Sequence, residues 1–392
     1  MKKHNFSGFV LMTLIITFSL TVCSTDDGGG NDRTFPGKIA VVTSVLDQNE
    51  AEFRSAEMLA TKYGTDKIIH KTWPTNFGTS EGRQQMVDLF AELALNSEIK
   101  AIVINQAVAG TNAAIDKLLE TRDDIFIVCC MAQDEPSKIA ASANLVIMHN
   151  EIGMGVTMAE QAKKQGATHF VHYSFPRHLG GLFISGRRDL LEEKCNELGI
   201  TFIEVSDVNL DPVSVGIPAA RQNITNDVPN KVTQYGKDTA FFGTNCAHQV
   251  ALIRAVMSEG AIYPQPCCPD PYHGFVEALE IEVTGSISPA NLQYVIAETK
   301  RIIAEAGMTG RLSNWPVPAS MLYTLTGAEY AINWLNNDVD KNNINDNELA
   351  VLISDGIMEI TGENTEVTIS SYSEGGTTYN NFKLVLMDYL DY

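Results

Sequence analysis

The chain has 392 residues, 44% of them hydrophobic, and a formal net charge of −20 at pH 7. That length suffices for two domains of ordinary size. The acidity excludes nucleic-acid binding, which needs a basic footprint to displace counterions from phosphates; much of it is terminal, with 11 Asp and Glu against two Lys from Ala331 onward.

The first element is an apolar run, Phe9 to Leu20, preceded by Lys2, Lys3 and His4. It reads as an export signal, and at about a dozen apolar residues it is too short to span a bilayer, which takes about 20. With Leu20 three positions before Cys23, the stretch resembles the lipobox of bacterial lipoproteins, although Val22 stands where that pattern has Gly, Ala or Ser. The resemblance implies that residues 1–23 are a lipoprotein signal peptide and that Cys23 carries the lipid that anchors the chain to the membrane. Residues 24–36, "STDDGGGNDRTFP", have no apolar periodicity and read as a flexible tether. No later stretch is apolar enough to cross a membrane, which predicts a soluble body.

From Gly37 the text alternates between strand-like apolar runs and segments at helical spacing. "KIAVVTSV", "KIIHKTWP", "IKAIVINQAV" and "IFIVCCMA" read as buried strands, and "NEAEFRSAEMLATKYG", "SEGRQQMVDLFAELALNSE" and "GTNAAIDKLLETRD" as the helices between them. Such units with short links describe a parallel sheet covered on both faces. The alternation restarts after "SANLVIMHN" with the helix "EIGMGVTMAEQAKKQG", the strand "THFVHYSF", the helix "GRRDLLEEKCNELG" and the strand "TFIEVSDV", and further on with "DTAFFGT", the helix "CAHQVALIRAVMSEG" and the stretch "AIYPQPCC". "GRLSNWPVPASMLYTLTGAEYAINWLNN" predicts a strand broken at Pro316 and Pro318, then a helix; the prolines stiffen a segment suited to crossing between lobes. The six cysteines of the body show no Cys-x-x-Cys or His-rich spacing that would suggest zinc, so no metal is expected. Most are expected to be buried as small hydrophobes, with a Cys195 bridge to another lone cysteine left open.

This layout resembles the type I periplasmic binding proteins that serve ABC transporters, and Lys38 to about Asn337 follows the order of their ribose-binding and basic-membrane-protein members. It is also similar to a bacterial lipoprotein family of unassigned function. The resemblance implies an α/β fold of two Rossmann-like lobes, each with a doubly wound, mainly parallel sheet, joined by a multi-strand hinge. Lobe 1 is expected over 37–150 plus about 316–345, and lobe 2 over 151–315 plus about 346–392. It further implies a monomer outside the cell membrane that closes on a small polar molecule and delivers it to an ABC permease. A ligand-sensing partner of a chemoreceptor or kinase ectodomain is the alternative on the same fold, and an exported enzyme the alternative of another class.

Ligands of open parallel sheets bind beyond the carboxyl ends of the strands. That rule selects Ser44, Asp47 and Gln48 after the first strand, Asn105 and Gln106 after the third, and Met131 and Gln133 after the fourth. The second lobe adds Ser174, Phe175, Arg177 and His178, then Thr244, Asn245 and Asp270, with Trp315 on the last crossing. Arg187, read as lying at a helix start where a cation opposes the dipole, joins them as a candidate for ligand or inter-lobe contact. Asn105 equally suits a cap or turn, and Phe175 and Trp315 equally suit packing. Aromatic faces and amides fit a sugar, a nucleoside or a similar polar molecule, and Arg177 and Arg187 fit a carboxylate or phosphate. There is no Gly-x-Ser-x-Gly elbow and no phosphate loop, so neither catalysis nor a cofactor is expected.

Overall fold

The computed structural model describes residues 34–340 and 343–392. The signal segment and Cys23 lie outside the described residues. Strands β1 (Lys38–Thr43), β2 (Ile68–Thr72), β3 (Ile99–Asn105), β4 (Phe126–Cys130) and β5 (Leu145–His149) alternate with helices α1 (Glu50–Tyr63), α2 (Ser80–Leu95), α3 (Thr111–Leu119) and α4 (Pro136–Ser142). Then come α5 (Met154–Lys164), β6 (His169–Ser174), α6 (Pro176–Leu179), α7 (Leu182–Glu197), β7 (Thr201–Ser206), α8 (Pro212–Val215), α9 (Ile217–Tyr235), β8 (Thr239–Gly243), α10 (Gln249–Glu259), α11 (Phe275–Ala278), α12 (Pro289–Glu305) and β9 (Ser313–Asn314). The chain ends with α13 (Ala319–Leu335), α14 (Asp346–Thr361), β10 (Val367–Glu374), β11 (Thr377–Met387) and β12 (Leu390–Asp391).

Two sheets organise these elements. The first runs β10-β11-β5-β4-β3-β1-β2, parallel except for the antiparallel β10-β11 pair. Its central strands are apolar on both faces: Ile39 and Val41 enter one core, Ala40 and Val42 the other. Helices must therefore cover both sides. One cover is α13, which comes so close that a Cβ on Gly327 would stand 3.0 Å from Val128 Cγ1 and 3.3 Å from Cys130 Sγ. The second sheet, β7-β6-β8, is parallel. Bridges through Ile262 and Tyr263 link it to Leu312 and so to the antiparallel β9-β12 pair.

The sequence places residues from about 346 onward in the second lobe, and the strand pairing corrects this. Phe382–Val385 of β11 lie in parallel register beside Val146–His149 of β5, so the β10-β11 hairpin extends the first sheet. Only the last residues return to the second, where Tyr392 N–H donates to Leu312 O (3.0 Å). The hairpin is legible as alternation in "VTISSYSEGGTTYNNFKLVLM", but its destination depends on the free edge of β5, a long-range pairing that no local pattern encodes. The chain thus passes between the sheets after β5, through Trp315–Pro318 and after β11, two of these crossings leaving from neighbouring strands. Among the described residues no helix is long and apolar enough to cross a membrane.

Candidate functional site

At the carboxyl edge of the first sheet, Asn49 caps α1 and turns its first residues toward the ends of β1 and β3. This places Glu52, buried, under that edge. The Ser44 N–H donates to Glu52 Oε1 (2.6 Å) and Gln106 Nε2 to Glu52 Oε2 (2.6 Å). Gln133 Nε2 in turn donates to Gln106 Oε1 (2.7 Å). Burial raises the Glu52 carboxyl above its ordinary value of 4.5, against the opposing pull of Gln106 and the Ser44 N–H. The Trp73 indole also lies close enough to lower it slightly, yet its N–H falls outside hydrogen-bond geometry. The backbone above Glu52 is strained. Gln106, Ala107 and Met131 have φ of +60°, +33° and +54°, conformations that cost roughly 1–3 kcal/mol each in non-glycine residues and concentrate at ligand sites.

At the second edge, His178 approaches Thr244 Oγ1 (3.0 Å) through Nδ1 and Asn245 Nδ2 (3.4 Å) through Nε2. Its ring centroid lies 4.2 Å from that of Phe175. Burial, with Arg177 second, holds the His178 imidazole below its usual range, so it is neutral at pH 7. Arg177 forms a two-point pair with Asp211 (2.7 and 3.1 Å). Arg187, buried, lies over the Phe242 ring (5.2 Å) and pairs with Glu151 Oε1 (3.4 Å). Burial pushes the Glu151 carboxyl up, but His149 and Arg187 outweigh it and hold it below the usual range. Gly155 makes this approach possible, since a Cβ there would stand 2.2 Å from the Arg187 carbonyl oxygen.

The segment between α11 and α12 approaches the start of α1, where Glu50 Oε1 accepts from the Ile287 N–H (3.1 Å). Glu151 stands on the first crossing and Arg187 on α7, so their pair ties the crossing to the second lobe. Near them, Tyr389 on the last crossing donates to Gln265 Oε1 and also meets Thr157.

Of the residues selected from the sequence, Asp47, Gln48 and Gln133 are exposed at the first edge, and Gln106, Met131, His178, Asn245 and Asp270 are half-buried. Met131 Sδ meets His149 Nδ1 (3.3 Å). Ser174 and Thr244 are buried and bonded to each other (3.0 Å). Asp270, raised by burial, accepts from the Tyr272 N–H (2.7 Å). Others are framework. Ser44 is buried and contributes through its backbone. Asn105 Nδ2 is taken by Ser320 O and Thr324 Oγ1 on α13, and its Oδ1 by the Gln106 N–H. Phe175 is fully buried, and Trp315, on the last crossing, is only 1% exposed with its indole N–H unpartnered, so both take the packing alternative. Arg187 does not begin a helix as expected: α7 starts at Leu182, and the guanidinium is held by packing and Glu151.

Sequence reasoning missed Glu52, Glu151 and Tyr389. Only Glu52 had a local signal, an acidic first turn after a buried strand, and that pattern ordinarily marks an exposed helix start. Most of the body cysteines are buried, as expected. All six described ones are free thiols; Cys129, Cys130, Cys195 and Cys267 are buried, but Cys246 and Cys268 are exposed. No Cys-x-x-Cys or His-rich spacing marks a metal-ligand group, but the fold brings the ligand atoms of Cys246, Cys267 and His273 within 4.8 Å of one another.

A family model described as "Protein of unknown function (DUF3798)" matches residues 37–313. A relative from Treponema pallidum (strain Nichols), described as uncharacterized, is 31% identical over 171 residues, 43% of this chain and 78% of its own. A second from the same organism, also uncharacterized, is 27% identical over 53% of this chain and 98% of its own. Among solved structures, a candidate transcriptional regulator from Clostridium difficile 630 superposes with a TM-score of 0.81 at 20% identity, over 92% of this chain and all of its own. A sugar ABC transporter protein from Actinomyces odontolyticus superposes at 0.50 and 10% identity, over 77% and 84%. At these identities the likeness is one of fold: two α/β lobes joined by a multi-strand hinge, the type I periplasmic-binding-protein architecture.

Proposed function

We propose, from the premise that the chain belongs to the DUF3798 family and has the type I periplasmic-binding-protein fold, that it is an extracytoplasmic solute-binding protein. On this reading a small polar molecule, a sugar, a nucleoside or a similar compound, is held between the two sheet edges and passed to an ABC permease. The observation that carries the reading is the pair of Glu151, on the crossing that leaves β5 at the first edge, with Arg187 of α7 (3.4 Å), together with strained backbone at Gln106 and Met131 on that edge.

Each side chain then has a role that its chemistry permits. Gln106 and Gln133 offer amides, and Gln106 is oriented by the carboxylate of Glu52 beneath it. Neutral His178, with Thr244 and Asn245, offers donors and acceptors from the opposite side, and Asp47, Gln48 and Asp270 stand at the rim. Ser44, Asn105, Phe175, Arg187 and Trp315 hold these groups in place. Ligand favours closure only through contacts made with both lobes at once. Cys23 is the lipid anchor in this reading, and the glycine-rich segment after it the tether.

Mass spectrometry of the small molecules released when the purified chain is denatured tests the binding reading. A stoichiometric polar solute that rebinds the refolded or freshly prepared protein is expected. No released solute, together with no binding across sugars, nucleosides and small carboxylates at millimolar concentration, would overturn it. The anchor has its own test: Cys23→Ser is expected to release the body from membranes, and a wild-type chain that takes up no labelled fatty acid would remove the anchor.

A further inference from the structure

Three soft-metal donors, Cys246, Cys267 and His273, converge beside Thr244 and Asn245 at the end of β8, their ligand atoms all within 4.8 Å of one another. Cys246 opens the turn after β8. Cys267 and Cys268 close the extended segment after α10, which the bridge of Ala240 to Ile262 and the Phe241 N–H to Ile262 O bond (2.9 Å) hold alongside β8. His273 lies in the next turn, which is set by its own N–H donating to Asp270 O (3.0 Å). Cys267 Sγ is 3.5 Å from Cys246 Sγ, 3.8 Å from Cys268 Sγ and 3.6 Å from His273 Nε2.

The Cys267–Cys246 and Cys267–His273 separations match the donor–donor distances of a tetrahedral zinc site. Zinc bonds of about 2.3 Å to sulfur and about 2.0–2.1 Å to imidazole nitrogen, at tetrahedral angles, require S···S near ~3.8 Å and S···N near ~3.6 Å. A disulfide requires sulfurs at about 2.05 Å. We propose that Cys246, Cys267 and His273 form a three-donor site for a thiophilic cation, zinc by preference, with solvent in the fourth position. The donor set favours zinc, cadmium or cuprous ions over magnesium or calcium, which take oxygen ligands. On binding, the two thiols give their protons to solvent and the neutral imidazole supplies a lone pair, so a zinc centre with two thiolates carries no net charge. Exposed Cys246 gives the ion access from solvent. The site is independent of the solute-binding reading and survives its failure.

The full chain, purified reduced and without oxygen, is loaded with zinc, dialysed against metal-free buffer and assayed for metal by mass spectrometry; a parallel sample is loaded with cobalt. One zinc per chain is expected, with intense tetrahedral cobalt bands and a thiolate-to-cobalt band. Cys246→Ser and His273→Gln are each expected to weaken zinc affinity by about tenfold or more while melting as cooperatively as wild type without metal. Cys195→Ala should leave zinc affinity unchanged. Substoichiometric zinc with no tetrahedral cobalt spectrum overturns the proposal. So does zinc retained by a folded Cys246→Ser, His273→Gln double variant, or a Cys246–Cys267 disulfide that forms in air equally with and without bound zinc.

Discussion

At the first sheet edge the buried charge is an anion, Glu52, held by the Ser44 N–H and Gln106. At the second it is a cation, Arg187, whose carboxylate partner Glu151 stands on the crossing between the sheets. The difference teaches where each edge gets its order. Glu52 is satisfied from within its own lobe, so Gln106 and Gln133 are oriented whether or not the lobes approach. Arg187 depends on the hinge, so the second edge is organised only when the crossing after β5 is in place. A first edge built in advance and a second assembled by the hinge is an arrangement suited to capture followed by closure.

Breaking the hinge pair should have the largest effect. Glu151→Gln leaves the Arg187 guanidinium buried without a counter-charge, and is expected to lower the unfolding free energy by about 3 kcal/mol, read from the urea midpoint at unchanged slope. A loss under about 1 kcal/mol would mean that Arg187 is neutralised elsewhere and that the contrast between the edges is false.

The same contrast makes a smaller, pH-dependent prediction for Glu52→Gln. An amide keeps the size of the carboxyl and one acceptor, so near pH 7 the variant should lie within about 1 kcal/mol of wild type. Because burial raises the folded-state pKa above 4.5, the folded wild type holds the proton more tightly than the unfolded chain. Its stability from this group is complete below 4.5 and is lost as pH rises through the raised value. The wild-type advantage over the variant should therefore shrink between pH 4.5 and 7. Urea titrations of both proteins at several pH values would show it, and an advantage that grows with pH would reverse the assignment.

Arg177→Ala should do least. Its pair with Asp211 is half exposed on the Arg177 side, and such pairs contribute roughly 0–1 kcal/mol. A melting curve that moves more than that range allows would make Arg177 part of the frame.

Much of the fold was legible. Apolar runs such as "IKAIVIN" and amphipathic segments such as "EAEFRSAEMLATKY", capped by Asn49 and ended by Gly64, declare themselves through local periodicity and end signals. Helix α9 was not, because Pro229 lies inside it and its polar sequence gives no clear stripe. The β10-β11 hairpin was assigned to the wrong sheet because strand partners are a long-range matter. The strand-end rule selected Gln106, Gln133, His178 and Thr244, and the fold places them at the strand ends, since those positions follow from where strands stop. It could not separate Asn105, which binds α13, from its neighbour Gln106, since both are amides at one strand end. The thiol group was invisible for a related reason: Cys246 and Cys267 belong to segments joined only by strand pairing.

The central claim is that both sheet edges grip one solute. Isothermal titration of the solute recovered from the protein, against wild type, Gln106→Ala at the first edge and His178→Ala at the second, tests it most directly. Each variant removes hydrogen bonds worth about 1 kcal/mol or more, so each should bind roughly tenfold more weakly while melting within a few degrees of wild type. If either folded variant keeps wild-type affinity, that edge does not touch the solute and the two-sided site is wrong.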